Sequence, residues 1–312
     1  MRILVTGAAG FVGRRVCHQL AANGHEVVGM GRGPAPADIP LTAWLQVDLC
    51  DASANLAACC RDSDAVIHLA ARTHSKRQAH ARDKAAYTAI NVEGTRRLAS
   101  AAVQAGVGRF IYMSSIKVNG EGDVRAADGH WHRYSPADEP APRDIYGRSK
   151  LAAEQLLANM QQAAGLNVIC LRPPLVYGHG ARGNLARLAK LIDLGLPLPF
   201  AAIDNARSLI HVDSLARAVV ACMAAEAVGF KVYTVADIDV STPDLIETMA
   251  RARGRRARLF PLPDAVLHAI DALAPGIGIA RLTGTLLVDN SAAQRELQWQ
   301  PDPDLESGLA HA

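Results

Sequence analysis

Short runs rich in branched apolar residues at 3–6, 27–30, 65–69, 110–113 and 168–171 are separated by longer amphipathic stretches such as 12–22, 86–105 and 146–164. Runs that stay apolar instead of alternating belong to strands covered on both faces, and helical-length spacers between them predict parallel pairing through crossovers. The fold class is therefore α/β, a doubly wound parallel sheet. Ligands of such sheets sit at the carboxyl ends of the strands, so the residues that follow each run are the ones to inspect.

After residue 171 the rhythm changes, with Pro173, Pro174, Gly178, Gly180, Gly183, Pro197 and Pro199 around a helical stretch at 185–194. The chain of 312 residues then divides into a sheet domain over 1–172, with a return of 206–238, and a smaller discontinuous substrate lobe made of 173–205 and 239–312. Thr242-Pro243 is expected to cap and open a further helix. A basic run, Arg251, Arg253, Arg255, Arg256 and Arg258, straddles the expected end of that helix at Gly254, where cations favour the C-terminal dipole and face water.

A hydrophobic fraction of 50% excludes a disordered chain, and Lys+Arg 33 against Asp+Glu 30 is too even to mark a nucleic-acid or anionic-membrane partner. Six cysteines without a Cys-x-x-Cys pair or metal-ligand spacing fit reduced thiols in a cytoplasm. No metal is expected. The residues from Met1 onward lead straight into a strand without an export signal, and no apolar run reaches membrane-spanning length.

The first run ends in Thr6-Gly7-Ala8-Ala9-Gly10-Phe11-Val12-Gly13, three glycines at spacing three between a strand and a helix. Gly7 permits the sharp turn, Gly10 lets backbone approach a pyrophosphate, and Gly13 allows close helix-to-strand packing. The amides of Phe11 and Val12 then open the helix toward the anion. The second run ends in Gly31-Arg32 with no carboxylate for an adenosine ribose. Arg32 would accommodate a 2′-phosphate, which leans the cofactor to NADP(H), with NAD(H) the alternative. Asp48 and Leu49 are placed near the adenine, and Leu69, Ala70, Ala71 and Pro173 where backbone passes close to the cofactor.

Tyr146 and Lys150 stand four apart, on one helical face. An ammonium ~4 Å from a phenol, in an effective dielectric of ~20, is worth roughly 4 kcal/mol, about three pKa units, before desolvation opposes it. Tyr146 is thus expected to act near neutrality. Ser114 and Ser115 follow the run at 110–113, and Ser115 is placed to hold the oxygen whose proton Tyr146 exchanges.

Taken together these residues resemble the extended short-chain dehydrogenase/reductase family along nearly the whole chain. The resemblance implies a Rossmann-like domain, a catalytic Ser115, Tyr146 and Lys150, a role for Lys150 on the cofactor ribose, and an Asn-x-x-Gly element at Asn91 and Gly94. Within the family the chain resembles UDP-sugar 4-epimerases and 4-keto reductases. The run from Ser114 to Glu121 is most similar to UDP-N-acetylquinovosamine dehydrogenases. That likeness implies UDP contacts from Asn184, Arg207 and Arg281, with Phe200 near the uracil or in the core. Sugar dehydratases carry Asp-Glu where this chain has Ile116-Lys117, which disfavours dehydration. The expected reaction is 4-keto reduction to a UDP-6-deoxy-N-acetylhexosamine. A UDP-hexose 4-epimerase stands second, followed by a non-sugar alcohol dehydrogenase and a non-catalytic dinucleotide sensor. A homodimer through the helices at 86–105 and 146–164 follows from the same likeness.

Overall fold

The computed structural model describes all residues except 74–80, 123, 127, 182, 227, 264–265, 268, 270–279 and 311–312. A seven-stranded sheet forms its centre, built from β1 (Arg2–Thr6), β2 (Glu26–Gly31), β3 (Ala43–Gln46), β4 (Ala65–His68), β5 (Arg109–Met113), β7 (Val168–Arg172) and β10 (Phe230–Thr234). The order is β10-β7-β5-β4-β1-β2-β3, and every pairing is parallel. The winding reverses between β1 and β4, which opens a crevice at their carboxyl ends. This is the Rossmann-like α/β arrangement.

Successive residues of a strand face opposite sides, and here both sides are covered. Ile3, Val5, Ile67, Ile111 and Ile169 pack toward α1 (Phe11–Ala22) and α7 (Val212–Ala224). Their neighbours Leu4, Val66, Phe110, Tyr112 and Val168 pack toward α2 (Leu56–Cys60), α4 (Gly94–Gln104) and α5 (Ile145–Ala164). Each large apolar side chain buried this way contributes roughly 1.5–3 kcal/mol, which explains why the strands read as continuous apolar runs.

Helix α5 carries its own start and stop signals. The Asp144 carboxylate accepts the Gly147 amide at 2.7 Å, and Gly165 closes the helix in the left-handed region at φ 71°. Gly147 is required by a neighbour, because a Cβ there would stand 2.7 Å from the Lys117 carbonyl oxygen.

The single helix expected at 86–105 is divided into α3 (Ala81–Tyr87), a π-helical turn (Thr88–Glu93) and α4. The widened turn lets Asn91 reach inward. Its side chain accepts from the Arg72 amide at 2.8 Å and donates to the Ser149 hydroxyl at 2.9 Å. A buried amide side chain that needs these partners outweighs regular helical winding.

The smaller lobe has a core of its own, with Leu185, Leu188, Phe200, Leu209, Leu245 and Met249 among its members, built on α6 (Asn184–Asp193) and α8 (Thr242–Ala252). Strand β10 returns to the main sheet as the sequence suggests. Strand β9 (Arg207–His211) does not: it joins a separate three-stranded sheet between β8 (Leu175–Tyr177) and β11 (Ile238–Val240). The helix Ser291–Leu297 and Trp299 pack on the sheet side, where the Trp299 indole donates to the Ser214 carbonyl at 3.1 Å. The cap of α8 is Ser241, whose hydroxyl accepts the Asp244 amide at 3.1 Å. Thr242 is buried and gives its own hydroxyl to the Leu282 carbonyl.

In the basic run, Gly254 adopts φ 64° just beyond α8, and Arg253 pairs with Asp193 at 2.6 Å. All six cysteines are unpaired. Among the described residues no group of side chains could hold a metal ion, and no helix is long and apolar enough to cross a membrane.

Candidate active site

The glycine turn between β1 and α1 is shaped by backbone crowding. Gly7 has φ 70°, and a Cβ on it would stand 2.7 Å from the Ala70 amide nitrogen. A Cβ on Gly13 would approach the Gly7 carbonyl oxygen to 2.2 Å. Gly10 is exposed and adds no side-chain acceptor as the cap of α1. The first-turn amides of a helix have no intrahelical partner, so those of Phe11, Val12 and Gly13 form a donor cradle for an anion. No acidic residue stands in that first turn.

Around this cradle the expected cofactor residues take distinct places. Leu69 and Ala70 continue β4, with their amides directed to the Thr6 carbonyl and hydroxyl, and Ala71 follows half-buried. Arg32 and Asp48 are exposed at the ends of β2 and β3, while Leu49 is buried in the sheet core. Gln46 donates to the Arg32 carbonyl at 3.1 Å and Trp44 to the Gly33 carbonyl at 3.0 Å, so β3 fixes the loop that presents Arg32. Pro173 is buried, and its carbonyl accepts the Ile116 amide at 3.0 Å.

Ser115 caps the short 3-10 turn Ile116–Val118 at the end of β5, where its hydroxyl accepts the Lys117 amide at 3.3 Å, and it stands near enough to Tyr146 to favour the ionised phenol. Tyr146 and Lys150 face the same side of α5, with the Lys150 nitrogen 5.9 Å from the Tyr146 ring centre. Lys150 is 2% exposed, donates to the Met113 carbonyl at 2.6 Å and lies 4.6 Å above the Tyr112 ring. Contrary to the expectation of a phenol that titrates near neutrality, the shift at Tyr146 is upward. Burial drives the Tyr146 hydroxyl above its ordinary value, and the nearby Ser115 hydroxyl offsets only part of that. Burial also lowers Lys150 from 10.5 to about 7, against the opposing pull of Glu154. Desolvation of both partners outweighs the Coulomb attraction between them.

Ser114 is not turned to the site. It is 2% exposed and donates its hydroxyl to Glu154. Arg207 places one guanidinium nitrogen 2.6 Å from the Gly284 carbonyl. Phe200 is 5% exposed inside the lobe core, which fits the core alternative better than a stacking role. Asn184 opens α6 and Arg281 lies in the short helix Ala280–Thr283, but both side chains fall outside the described residues.

A polar chain that the apolar pattern of β4 conceals joins the glycine turn to α5. The two ring nitrogens of buried His68 contact the Thr6 hydroxyl at 2.7 Å and the Thr95 hydroxyl at 2.9 Å. Thr95 uses its proton on the Asn91 carbonyl at 2.7 Å, and Asn91 reaches Ser149. Burial first, and the Lys150 charge second, lower His68 from 6.5 to about 3. The unfolded chain therefore takes up a proton between these values that the folded chain refuses. Stability falls as pH drops through that window, by up to ~1.4 kcal/mol per unit. Urea unfolding at stepped pH is expected to show this slope flattened in a His68→Gln variant; an equal slope in both proteins would contradict it.

Residues 3–236 match the NAD dependent epimerase/dehydratase family. The chain belongs to this family. A UDP-glucose 4-epimerase of Vibrio cholerae is 34% identical over 98% of this chain and 93% of its own. A UDP-glucose 4-epimerase of Mycolicibacterium smegmatis is 28% identical over 99% of this chain and 96% of its own. The crystal structure of UDP-glucuronic acid 4-epimerase from Bacillus cereus in complex with NAD superposes with a TM-score of 0.80 at 26% identity, covering 100% of this chain and 97% of that one. The chain is thus an enzyme of the epimerase/dehydratase type.

Proposed function

We propose that this enzyme is a UDP-sugar 4-epimerase that retains a nicotinamide dinucleotide through its cycle. The single observation that carries the reading is the Tyr146–Lys150 pair on one face of α5, with the Lys150 nitrogen 5.9 Å from the Tyr146 ring centre and Ser115 at the adjacent end of β5, in the sheet that also holds the uncapped glycine turn. The 4-epimerase relatives extend it from an alcohol oxidoreductase to C4 of a UDP-sugar, and their NAD complex favours NAD over the NADP(H) that Arg32 suggests. The quinovosamine-type reductase becomes the second reading. It rests on Arg32, on the missing carboxylate after β2, and on the run from Ser114 to Glu121.

The glycine cradle fits a dinucleotide, since Gly7 and Gly13 have no room for a Cβ and the first-turn amides point outward from an uncapped helix. When bound, the nicotinamide supplies the hydride acceptor and donor for C4. Tyr146 acts as its phenolate, formed when its own proton passes to solvent: it takes the proton from the C4 hydroxyl as hydride leaves, and returns that proton after the transient ketone presents its other face and hydride comes back. Ser115 donates a hydrogen bond to the same oxygen, and the Lys150 ammonium supplies the positive potential that stabilises the phenolate. Asn184, Arg207 and Arg281 are proposed for the UDP diphosphate, and a homodimer through α4 and α5 for the assembly.

Epimerisation returns hydride to the carbon it left. With UDP-glucose deuterated at C4, the label is expected to remain at C4 of the UDP-galactose formed over many turnovers. Label appearing in added free dinucleotide would favour the reductase instead.

A further inference from the structure

Beneath the candidate active site lies a buried ionic cluster that the chemistry above does not use. Glu154 and Arg172 have side chains only 4% exposed and pair in a two-pronged contact, at 2.5 Å and 3.0 Å. Ser114 donates to the same carboxylate, and Arg172 donates to Asn119 at 3.0 Å, which in turn donates to the Ser135 carbonyl at 2.6 Å. The cluster ties together α5, the end of β5, the end of β7 and the loop after Ser115. The backbone repeats the tie, with the Ser114 amide on the Leu171 carbonyl at 2.8 Å.

Glu154 stands one helical turn beyond Lys150, on the same face. The other groups facing Lys150 are Tyr146 on its own helix, Tyr112 from β5, His68 from β4 and Cys170 from β7. Burial raises both tyrosines and the thiol and lowers the imidazole, so all four are neutral near pH 7. Glu154 is the anion left among them.

We propose that Glu154 is the positioning carboxylate of this site, fixing the strand ends around Lys150 and supplying the negative charge that keeps its nitrogen an ammonium. Arg172 and Ser114 both donate to the Glu154 carboxylate and hold it in place at the base of the site. The inference rests on reading Tyr146 and Lys150 as the active-site pair, although its first test needs no substrate.

Titration of the Lys150 nitrogen by NMR in 15N-lysine protein, assigned through Lys150→Arg, is expected to move down by about one pH unit in Glu154→Gln. The high-pH limb of kcat moves down with it. Because Glu154→Gln leaves the Arg172 guanidinium buried without its anion, at a cost in stability, the uncharged double variant Glu154→Gln/Arg172→Gln provides the second arm; it removes a cation as well, so a smaller downward shift is expected there. An unmoved Lys150 midpoint in either folded variant, or a uniform fall in kcat without movement of the limb, would overturn the proposal. Absence of UDP-hexose turnover by the unaltered protein would instead count against the epimerase reading and leave the NMR comparison to decide on Glu154.

Discussion

Tyr146→Phe is expected to lower kcat by ~10³-fold while leaving dinucleotide affinity within about twofold. The substitution removes one oxygen, the atom proposed to exchange the substrate proton, and keeps the ring beside Tyr87, whose centre is 6.3 Å away. A loss of that size corresponds to roughly 4 kcal/mol of transition-state stabilisation, within the range for one positioned acid/base group. Steady-state turnover together with a fluorescence titration of the cofactor separates the two effects. Equal losses in both would mean that the phenol acts as a packing element of the cleft.

Gly13→Ala is expected to lower dinucleotide affinity by ~100-fold and global stability by ~1–3 kcal/mol. The new methyl group would meet the Gly7 carbonyl oxygen at 2.2 Å and both Cα and carbonyl oxygen of Ala8 at 2.9 Å. All of these are backbone atoms, so no side chain can swing aside. Helix α1 has to move away from the turn, which spoils the alignment of its first amides with a pyrophosphate. Isothermal titration with NAD and thermal unfolding of the same variant measure both effects, and unchanged binding would remove the glycine turn from the cofactor site.

Much of this architecture is legible in the sequence because the relevant signals are local. The strands announce themselves by apolar runs, the turn by three glycines, and the Tyr146–Lys150 pair by a spacing of one helical turn. Glu154, Arg172 and His68 are harder to find, since their partners come from distant parts of the chain and each sits inside an otherwise apolar or amphipathic segment. The π-helical turn at Asn91 has the same origin: its reason is Ser149, far away along the chain. Ser114 illustrates the opposite error, a hydroxyl at a strand end that suggests substrate but is already engaged by Glu154. Strand β9 misleads because its apolar pattern is satisfied equally by a small separate sheet. Charge shifts are the least legible, since the burial that reverses the expected effect on Tyr146 exists only in the folded chain.

The most direct measurement is incubation of UDP-glucose with the purified enzyme and a substoichiometric amount of NAD. The account predicts approach to a UDP-glucose/UDP-galactose equilibrium with no net reduction of dinucleotide. Absence of any such interconversion, with NADPH consumed mole for mole against a UDP-4-keto-6-deoxy-N-acetylhexosamine, would contradict it.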